Sequence, residues 1–312
     1  MTEPLTHRPD VLVLAAGGTL GEAWMRGLLD GAGSAAGIDF RDCEYFVGTS
    51  AGSIVAAFLA SGRAPDSGAQ ARAARDWAKA AGEGANGAEP DAPRGSRVAG
   101  AARLGLTAAA APFAPLALAT TAPGGAVARA AALAAVPRPT RSMPALGRLV
   151  DESGVRFDGR LRIAAVDRRN GKRVVFGSPG SPNASVGQAV LASCSVPWIF
   201  APVRIEGREY VDGGVWSPTN LDATPARRGT EVLCLAPLAS LGAGRTAFGA
   251  LRAVSASAAL AESLALKARG ARVRTIGPDA EAAAIMGANL MDRGRVDEVL
   301  AAGYAQGRGL AG

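Results

Sequence analysis

Residues 45–62 read YFVGTSAGSIVAAFLASG, which places a serine between a short apolar run and a segment typical of a helix. Ser50 has Gly48 two positions before it and Gly52 two positions after it. Such glycines leave room for a strained turn that lifts a nucleophilic serine above a sheet edge. The competing interpretation is an ordinary N-cap serine. The stretch therefore predicts a strand, a tight turn and a helix, and it leaves open which base would activate Ser50.

The segments around this stretch predict an α/β protein. VLVLAAGG at residues 11–18 is typical of a buried strand, and a helical pattern follows near residues 21–34. The order strand, helix, strand, helix predicts a mainly parallel sheet with chemistry at the carboxyl ends of its strands. Further elements are predicted as a hairpin over 161–177, a helix and an extended segment within 185–203, a strand ending at Asp212, strands at 231–238 and 271–278, and helices around 246–269 and 292–309.

Composition limits the class of protein. The 312 residues carry a formal net charge of +7, with basic residues scattered along the chain. Scattered charge predicts a generally basic surface with weak attraction to anionic lipid, and no nucleic-acid partner. Three widely separated cysteines without ligand spacing predict buried free thiols in a reducing compartment and no metal site. The polar N-terminus predicts no signal peptide, so a cytoplasmic protein with at most peripheral membrane contact is expected.

One domain spanning residues 1–312, with an insert at 81–145, fits the pattern better than two domains. Residues 81–96 are rich in Gly, Ala and Pro and predict a flexible loop, whereas residues 104–128 contain no charged residue. Prolines and a glycine pair interrupt that uncharged run, which argues against a transmembrane helix. Short buried helices are the slightly stronger interpretation, and a lid over a lipid-like substrate is the functional one.

The base is the discriminating question, because the chain cannot supply the histidine of a Ser-His-Asp triad. His7 is the sole histidine, and it precedes the first strand, at the opposite edge of a parallel sheet from Ser50. None of the lysines has the sequence context of a Ser-Lys pair. Two carboxylates remain. Asp167 follows a strand and is better interpreted as a hairpin cap, whereas Asp212 precedes two glycines and suits catalysis and an Asx-turn equally.

The first glycine-bearing turn, residues 16–21, also has several interpretations. Its backbone N–H groups and the following helix N-terminus could stabilise an oxyanion. Nucleotide phosphate binding is a rival, although the spacing is neither G-x-G-x-x-G nor a P-loop. A tight strand-helix connection is the simplest alternative, so this turn alone decides nothing.

Taken together, the motifs resemble those of the patatin-like phospholipase family. They are AGGTLGEAW at 16–24, GTSAG at 48–52 and DGG at 212–214, with ASCSVPWIFAPV at 192–203 shortly before the last. The resemblance covers most of the chain, and residues 81–145 match least. It implies a three-layer α/β/α fold with an inserted Ala-rich helical cap. It also implies lipid acyl hydrolase activity through a Ser-Asp dyad that uses no histidine.

By this resemblance, Ser50 is the nucleophile and Asp212 is the base. The oxyanion-loop donors are Gly17, Gly18 and Thr19. The supporting glycines are Gly48, Gly52, Gly213 and Gly214. The SPTN run at 217–220 is interpreted as structural support near the site.

The implied reaction is hydrolysis of carboxylic esters of phospholipids, lysophospholipids or related lipids through an acyl-enzyme, without a cofactor. Burial of Asp212 beside apolar residues such as Trp198 or Trp216 would raise its pKa toward a useful range. Two positions depart from the family pattern: Ala16 stands where a glycine is common, and Leu20 where many members have a basic residue. Ala16 and the insert prompt the alternative hypothesis, a catalytically weak protein that binds lipid or acyl groups.

Overall fold

The structure is a computed structural model that describes residues 4–64, 125–239 and 247–311, without the side chains of residues 247–254. The predicted loop at 81–96 and most of the uncharged segment 104–128 lie outside the described residues. The single domain and its cap over residues 81–145 remain predictions.

In the part of the chain that the structure describes, eight strands form one sheet. They are β1 (Val11–Leu14), β2 (Tyr45–Thr49), β3 (Leu161–Asp167), β4 (Arg173–Phe176), β5 (Val203–Ile205), β6 (Arg208–Asp212), β7 (Glu231–Leu235) and β8 (Arg272–Ile276). Parallel pairing joins β3 to β2, β2 to β1, β1 to β7 and β7 to β8. Antiparallel pairing joins β4 and β6 to β3, and β5 to β6. The predicted mainly parallel sheet and the predicted hairpin β3–β4 are therefore confirmed.

The sheet is buried on both faces, as strand β1 shows most simply. Side chains alternate between the two faces of a strand. Leu12 and Leu14 belong to one buried apolar cluster, whereas Val11 and Val13 belong to another. Two cores on opposite faces make the three-layer α/β/α arrangement, and they explain why the central strands are continuously apolar rather than alternating.

Eight α-helices are described. They are α1 (Gly18–Ala36), α2 (Ala51–Ala60), α3 (Ala126–Ala135), α4 (Pro144–Glu152), α5 (Val186–Ser193), α6 (Ala247–Ala268), α7 (Ala280–Met286) and α8 (Val296–Leu310). The sequence pattern did not predict the short helices α4 and α7. Within the expected insert, α3 is Ala-rich and buries only Arg129 and Leu133. Whether it belongs to a lid stays a prediction.

Helices α1 and α8 pack backbone against backbone. A Cβ atom added at Gly27 would lie 2.1 Å from the Leu300 carbonyl oxygen, and one at Gly31 would lie 2.1 Å from that of Tyr304. In the other direction, a Cβ at Gly307 would lie 2.2 Å from the carbonyl oxygen of Leu28. These glycines allow the close approach that holds α1, and hence the turn before it, against the body of the protein.

Two further features of the described residues concern the cysteines and the apolar character of the helices. Cys43, Cys194 and Cys234 are all buried and unpaired, as predicted. In the described part of the chain, no helix combines the length and the apolar character needed to cross a bilayer.

Candidate active site

Ser50 forms a strained elbow between β2 and α2. Its backbone has φ 51° and ψ −124°, a positive φ that residues with a Cβ atom rarely adopt. Its amide donates a hydrogen bond to Ser193 Oγ (2.8 Å), and that hydroxyl donates to the Ala164 carbonyl oxygen (2.7 Å). Ser193, on α5, thus ties the elbow to β3. Strain of this kind persists where the surrounding structure enforces it, which is typical of functional sites.

The two flanking glycines are required by close packing. A Cβ at Gly48 would lie 2.5 Å from the Ser53 Cα atom, inside the turn itself. A Cβ at Gly52 would lie 2.0 Å from the Leu14 carbonyl oxygen at the end of β1. The elbow therefore presses directly against the neighbouring strand, and no side chain fits at either glycine.

Gly52→Ala is expected to destabilise the protein by about 3 kcal/mol or more, because the added methyl group meets rigid backbone rather than a movable side chain. Urea unfolding would measure the change. Gly309→Ala is the matched control, since nothing lies within 4 Å of a Cβ at that position of α8. It should change the free energy of unfolding by no more than about 1 kcal/mol. Equal effects of the two substitutions would contradict the packing described for the elbow.

Asp212 is a buried carboxyl with a strongly raised pKa. Its side chain is 2% exposed, and the Gly214 amide donates to its Oδ1 atom (2.6 Å). Burial raises the pKa of Asp212 from 3.8 to about 7, although hydrogen bonds from the Gly214 amide and the Ser50 side chain lower it. The turn is tight: a Cβ at Gly213 would lie 2.3 Å from the Ala164 carbonyl oxygen. Asp212 is therefore held beside Ser50, in a site that disfavours its charged form.

The sheet register explains how Ser50 and Asp212 meet. Thr49 pairs with Ala164 of β3, and Asp212 pairs with the next residue, Ala165. Strand β4 pairs with residues 163–166 of β3, which include residues of β3 that pair with β2 and residues that pair with β6. Because a strand has only two edges, β2 and β6 must share the edge that β4 leaves free. The two strands approach each other end to end, so the residue after Thr49 faces Asp212.

The two tryptophans that were expected beside Asp212 differ in their surroundings. The Trp216 ring is covered by two guanidinium groups, that of Arg129 at 4.4 Å and that of Arg173 at 5.3 Å from its centroid. Trp198 is 37% exposed. No described contact links either ring to Asp212. Burial is the main cause of the raised pKa of Asp212, and the part that either tryptophan plays in it stays a prediction.

The predicted oxyanion loop joins β1 to α1. Gly17 has an extended φ of −170°, and Gly18 has φ 62°, where a Cβ would lie 3.0 Å from the Leu290 carbonyl oxygen. Among the described residues, the amides of Gly17, Gly18 and Thr19 make no hydrogen bond. They lie at the N-terminus of α1, where such donors carry positive partial charge. The loop and the elbow leave the same edge of the sheet from adjacent strands.

Structure adds one further donor to this set. Helix α2 begins at Ala51, and the Ala51 amide also makes no hydrogen bond among the described residues. The amide that follows a nucleophilic serine is a common oxyanion donor in elbow-type hydrolases. The sequence context of the elbow was sufficient to indicate it.

The two departures from the family pattern have little structural consequence in the loop. Ala16 does not adopt a positive φ, so its methyl group causes no backbone strain. The Ala16 amide donates to the Pro218 carbonyl oxygen (2.8 Å), which holds the start of the loop. Leu20 is fully buried, and its amide donates to the Leu290 carbonyl oxygen (3.0 Å).

The other groups that were weighed as a base for Ser50 are His7, Asp167 and the lysines. His7 contacts Glu231, the first residue of β7, and so lies at the amino edge of the sheet, away from Ser50. Asp167 accepts hydrogen bonds from the Arg169 amide (2.9 Å) and from Arg208 Nη1 (2.8 Å). It caps its hairpin, as predicted. Lys172 and Lys267 are exposed, and Lys79 lies outside the described residues.

The described residues contain no cluster suited to a metal ion, and one cavity lies away from Ser50. Within residues 4–64, 125–239 and 247–311, no group of three His, Cys, Asp or Glu side chains is arranged to hold a metal ion. A cavity of about 970 Å³ opens beside Tyr45 and Arg162. These residues lie at or next to the amino ends of β2 and β3, so that cavity is at the opposite edge of the sheet from Ser50.

A comparison with known families identifies the class of protein to which the chain belongs. The family model described as Patatin-like phospholipase matches residues 12–225, well over half of the chain. The chain therefore belongs to the patatin-like phospholipase family. The match covers all but the first residue of β1, strands β2 through β6, and both turns that carry the proposed catalytic residues.

Two solved structures illustrate the wider similarity. VipD from Legionella pneumophila is 17% identical with a TM-score of 0.43, over 98% of this chain and 67% of VipD. ExoU from Pseudomonas aeruginosa, in its heterodimeric complex with SpcU, is 18% identical with a TM-score of 0.40, over 99% of this chain and 51% of that one. The chain thus spans about half the length of the ExoU chain.

Proposed function

We propose that the protein hydrolyses carboxylic esters of phospholipids, lysophospholipids or related lipids through a Ser50–Asp212 dyad and an acyl-enzyme. The observation that carries the proposal is the end-to-end meeting of a strained serine with a buried carboxyl whose pKa is raised to about 7. An ordinary Asp is too weak a base for a serine hydroxyl at neutral pH. A carboxyl that titrates near pH 7 is better matched to proton transfer there.

The first half of the reaction forms the acyl-enzyme. Asp212 takes the proton from Ser50 Oγ as that oxygen bonds to the ester carbonyl carbon. The carbonyl oxygen becomes an oxyanion, which the amides of the 17–19 loop stabilise. The bond from the carbonyl carbon to the alcohol oxygen then breaks, and Asp212 returns its proton to the departing alcohol.

The second half releases the fatty acid. A water molecule attacks the acyl carbon and gives its proton to Asp212, and a second oxyanion forms at the same amides. Its collapse breaks the bond to Ser50 Oγ, which recovers the proton from Asp212. The products are a carboxylic acid and the alcohol portion of the lipid, and the dyad returns to its starting state.

An apolar substrate suits the surroundings of the loop. Met291 is 38% exposed, and its sulfur accepts a hydrogen bond from Thr19 Oγ1 (3.8 Å). A flexible, polarisable side chain beside the proposed oxyanion donors suits contact with an acyl chain. The alternative of a lipid-binding protein without turnover was prompted by Ala16 and by the insert. Ala16 does not adopt a positive φ, which weakens the first of these two grounds.

Active-site labelling of the unmodified protein tests the proposal. A fluorophosphonate probe should label one serine, and tryptic digestion should place the label on the peptide of residues 42–63. That peptide contains Ser50, Ser53 and Ser61, so fragment ions are needed to assign the label to Ser50. The same preparation should release fatty acid from lysophospholipid or phospholipid vesicles. No labelling, or labelling at another serine, would contradict the proposed nucleophile.

A further inference from the structure

We infer that Asn220 is a positioning residue that holds the two halves of the dyad together, an inference that rests on the proposed function. Its side chain is fully buried and sits in the turn of residues 217–220, here called the SPTN turn. Asn220 Nδ2 donates to Thr49 Oγ1 (3.1 Å) and to the Gly213 carbonyl oxygen (3.2 Å). Thr49 immediately precedes Ser50, and Gly213 immediately follows Asp212. One amide group therefore bridges the residues next to both members of the dyad.

The same turn also holds the third part of the site. The Pro218 carbonyl oxygen accepts the hydrogen bond from the Ala16 amide (2.8 Å), at the entrance to the oxyanion loop. The SPTN turn thus contacts the nucleophile strand, the turn after Asp212 and the loop of proposed oxyanion donors. These three segments are far apart along the chain, and no other element described above touches all of them through hydrogen bonds.

The SPTN turn is itself anchored from helix α6. Glu262 accepts hydrogen bonds from the Thr219 hydroxyl and from the Leu221 amide (2.7 Å). At the other end of the amide, Arg173 Nη1 donates to Asn220 Oδ1 (3.3 Å). The Ser217 carbonyl oxygen is a third acceptor for Nδ2 (2.6 Å), so the two amide hydrogens are shared among three acceptors. Acceptors surround the nitrogen and a cation faces the oxygen, so the amide has one favourable orientation. A group held in this way can act as a rigid spacer.

Backbone geometry narrows the residue types that can perform this role. Asn220 has φ 47° and ψ 32°, the left-handed region that Gly, Asn and Asp tolerate best. Glycine adopts this backbone conformation but has no side-chain amide. Aspartate also tolerates the conformation, but its side chain has no N–H donor. Asparagine satisfies both requirements, which makes Asn220→Gly the sharpest test, because it removes the bridge without straining the turn.

The expected effect falls on the chemical step rather than on substrate binding. A displacement of about 1 Å between catalytic groups can cost on the order of 10²-fold in rate. Asn220→Gly should therefore slow fluorophosphonate labelling and lower kcat by about 10- to 100-fold, with little change in KM. Thr49→Val, which removes one acceptor at constant shape, should have a smaller effect. The double variant should be hardly slower than Asn220→Gly alone, because both changes break the same bridge.

A second measurement tests the inference without relying on turnover. The pKa of Asp212 can be obtained from the pH dependence of unfolding, by comparing each protein with its Asp212→Asn counterpart. Asn220→Gly should lower that pKa toward the ordinary value, because a loosened turn admits water to the carboxyl. Asp39→Ala is the control, since it removes the side-chain cap of the turn Phe40–Asp42 on a separate segment and should change neither readout.

The outcomes separate the two proposals. If wild-type protein takes up no probe at Ser50, the proposed function fails, and the pKa of Asp212 still decides whether Asn220 positions that carboxyl. The role of Asn220 alone would be overturned by a different result. In that case the wild-type protein is labelled at Ser50, Asn220→Gly is labelled at the same rate, and the pKa of Asp212 is the same in both proteins. Slower labelling with a lowered pKa and an unchanged KM is the result expected.

Discussion

Ser50→Ala is expected to abolish labelling by the fluorophosphonate probe and to lower hydrolysis on the order of 10⁴-fold or more. Removing the nucleophile of a hydrolase has effects of this size, and what remains comes from substrate binding and the oxyanion donors. Hydrolysis should be followed as fatty acid release from lipid vesicles, in the wild-type protein and the variant side by side. A variant that retained wild-type turnover would show that another group carries the acyl transfer.

The fold of the Ser50→Ala variant should survive, because alanine keeps the Cβ atom and the Ser50 amide still reaches Ser193 Oγ. Ser50→Gly provides the matched comparison. Glycine adopts a φ of 51° without strain, so Ser50→Gly should unfold with about 1 kcal/mol more free energy than Ser50→Ala. Both variants should be inactive. Equal stability of the two would mean that the elbow stores no strain.

Much of this arrangement could be predicted from local sequence. Apolar runs that end in glycines predicted β1 and β2, and the glycines around Ser50 predicted the elbow. These signals are local because a strand, a turn and the start of a helix depend on neighbouring residues. The absence of a suitable histidine directed attention to Asp212. The family resemblance, not the spacing, then assigned its role.

The meeting of Ser50 and Asp212 could not be predicted in the same way. Chemistry was expected at the carboxyl ends of parallel strands, but β6 is antiparallel and reaches β2 end to end along β3. Strand direction and register depend on which segments pair in three dimensions, and the strand pattern of β6 is compatible with either direction. The numerical separation of the two residues carried no such information.

The supporting hydrogen bonds were missed for a related reason. Ser193 lies 143 positions from Ser50, and Asn220 lies 171 positions from Thr49. Hydrogen bonds over such separations leave no periodic signal in the sequence. One missed feature did have a signal: glycines four apart at 27 and 31, and again at 303 and 307, indicate helices that pack at close range.

Asp212→Asn is the second prediction with a large effect. Asparagine can still accept the hydrogen bond from the Gly214 amide, but it cannot take a proton from Ser50. General-base catalysis contributes about 10²- to 10⁴-fold, so kcat/KM should fall by that range. In the wild-type protein, kcat/KM should rise about tenfold per pH unit below pH 7 and level off above it, because the active form of Asp212 is the carboxylate. A rate profile that is flat between pH 5 and 8 would exclude Asp212 as the base.

Although Asp212→Asn should lose activity, its free energy of unfolding relative to the wild type should increase as the pH rises. Folding raises the pKa of Asp212 from 3.8 to about 7, so the folded protein holds this proton more tightly than the unfolded chain does. That contribution is fully present below about pH 4 and is lost as the pH rises through about 7.

Between pH 5 and 8 the wild-type protein should lose about 2 to 3 kcal/mol through this group, and the variant should lose none of it. Denaturant unfolding of both proteins at pH 5 and pH 8 measures the difference between their free energies of unfolding. The titration of other groups, including Glu22 and Glu262, contributes equally to both proteins and cancels from this difference. The variant should therefore gain stability over the wild type as the pH rises, and a constant difference would mean that Asp212 is not buried as the structure shows.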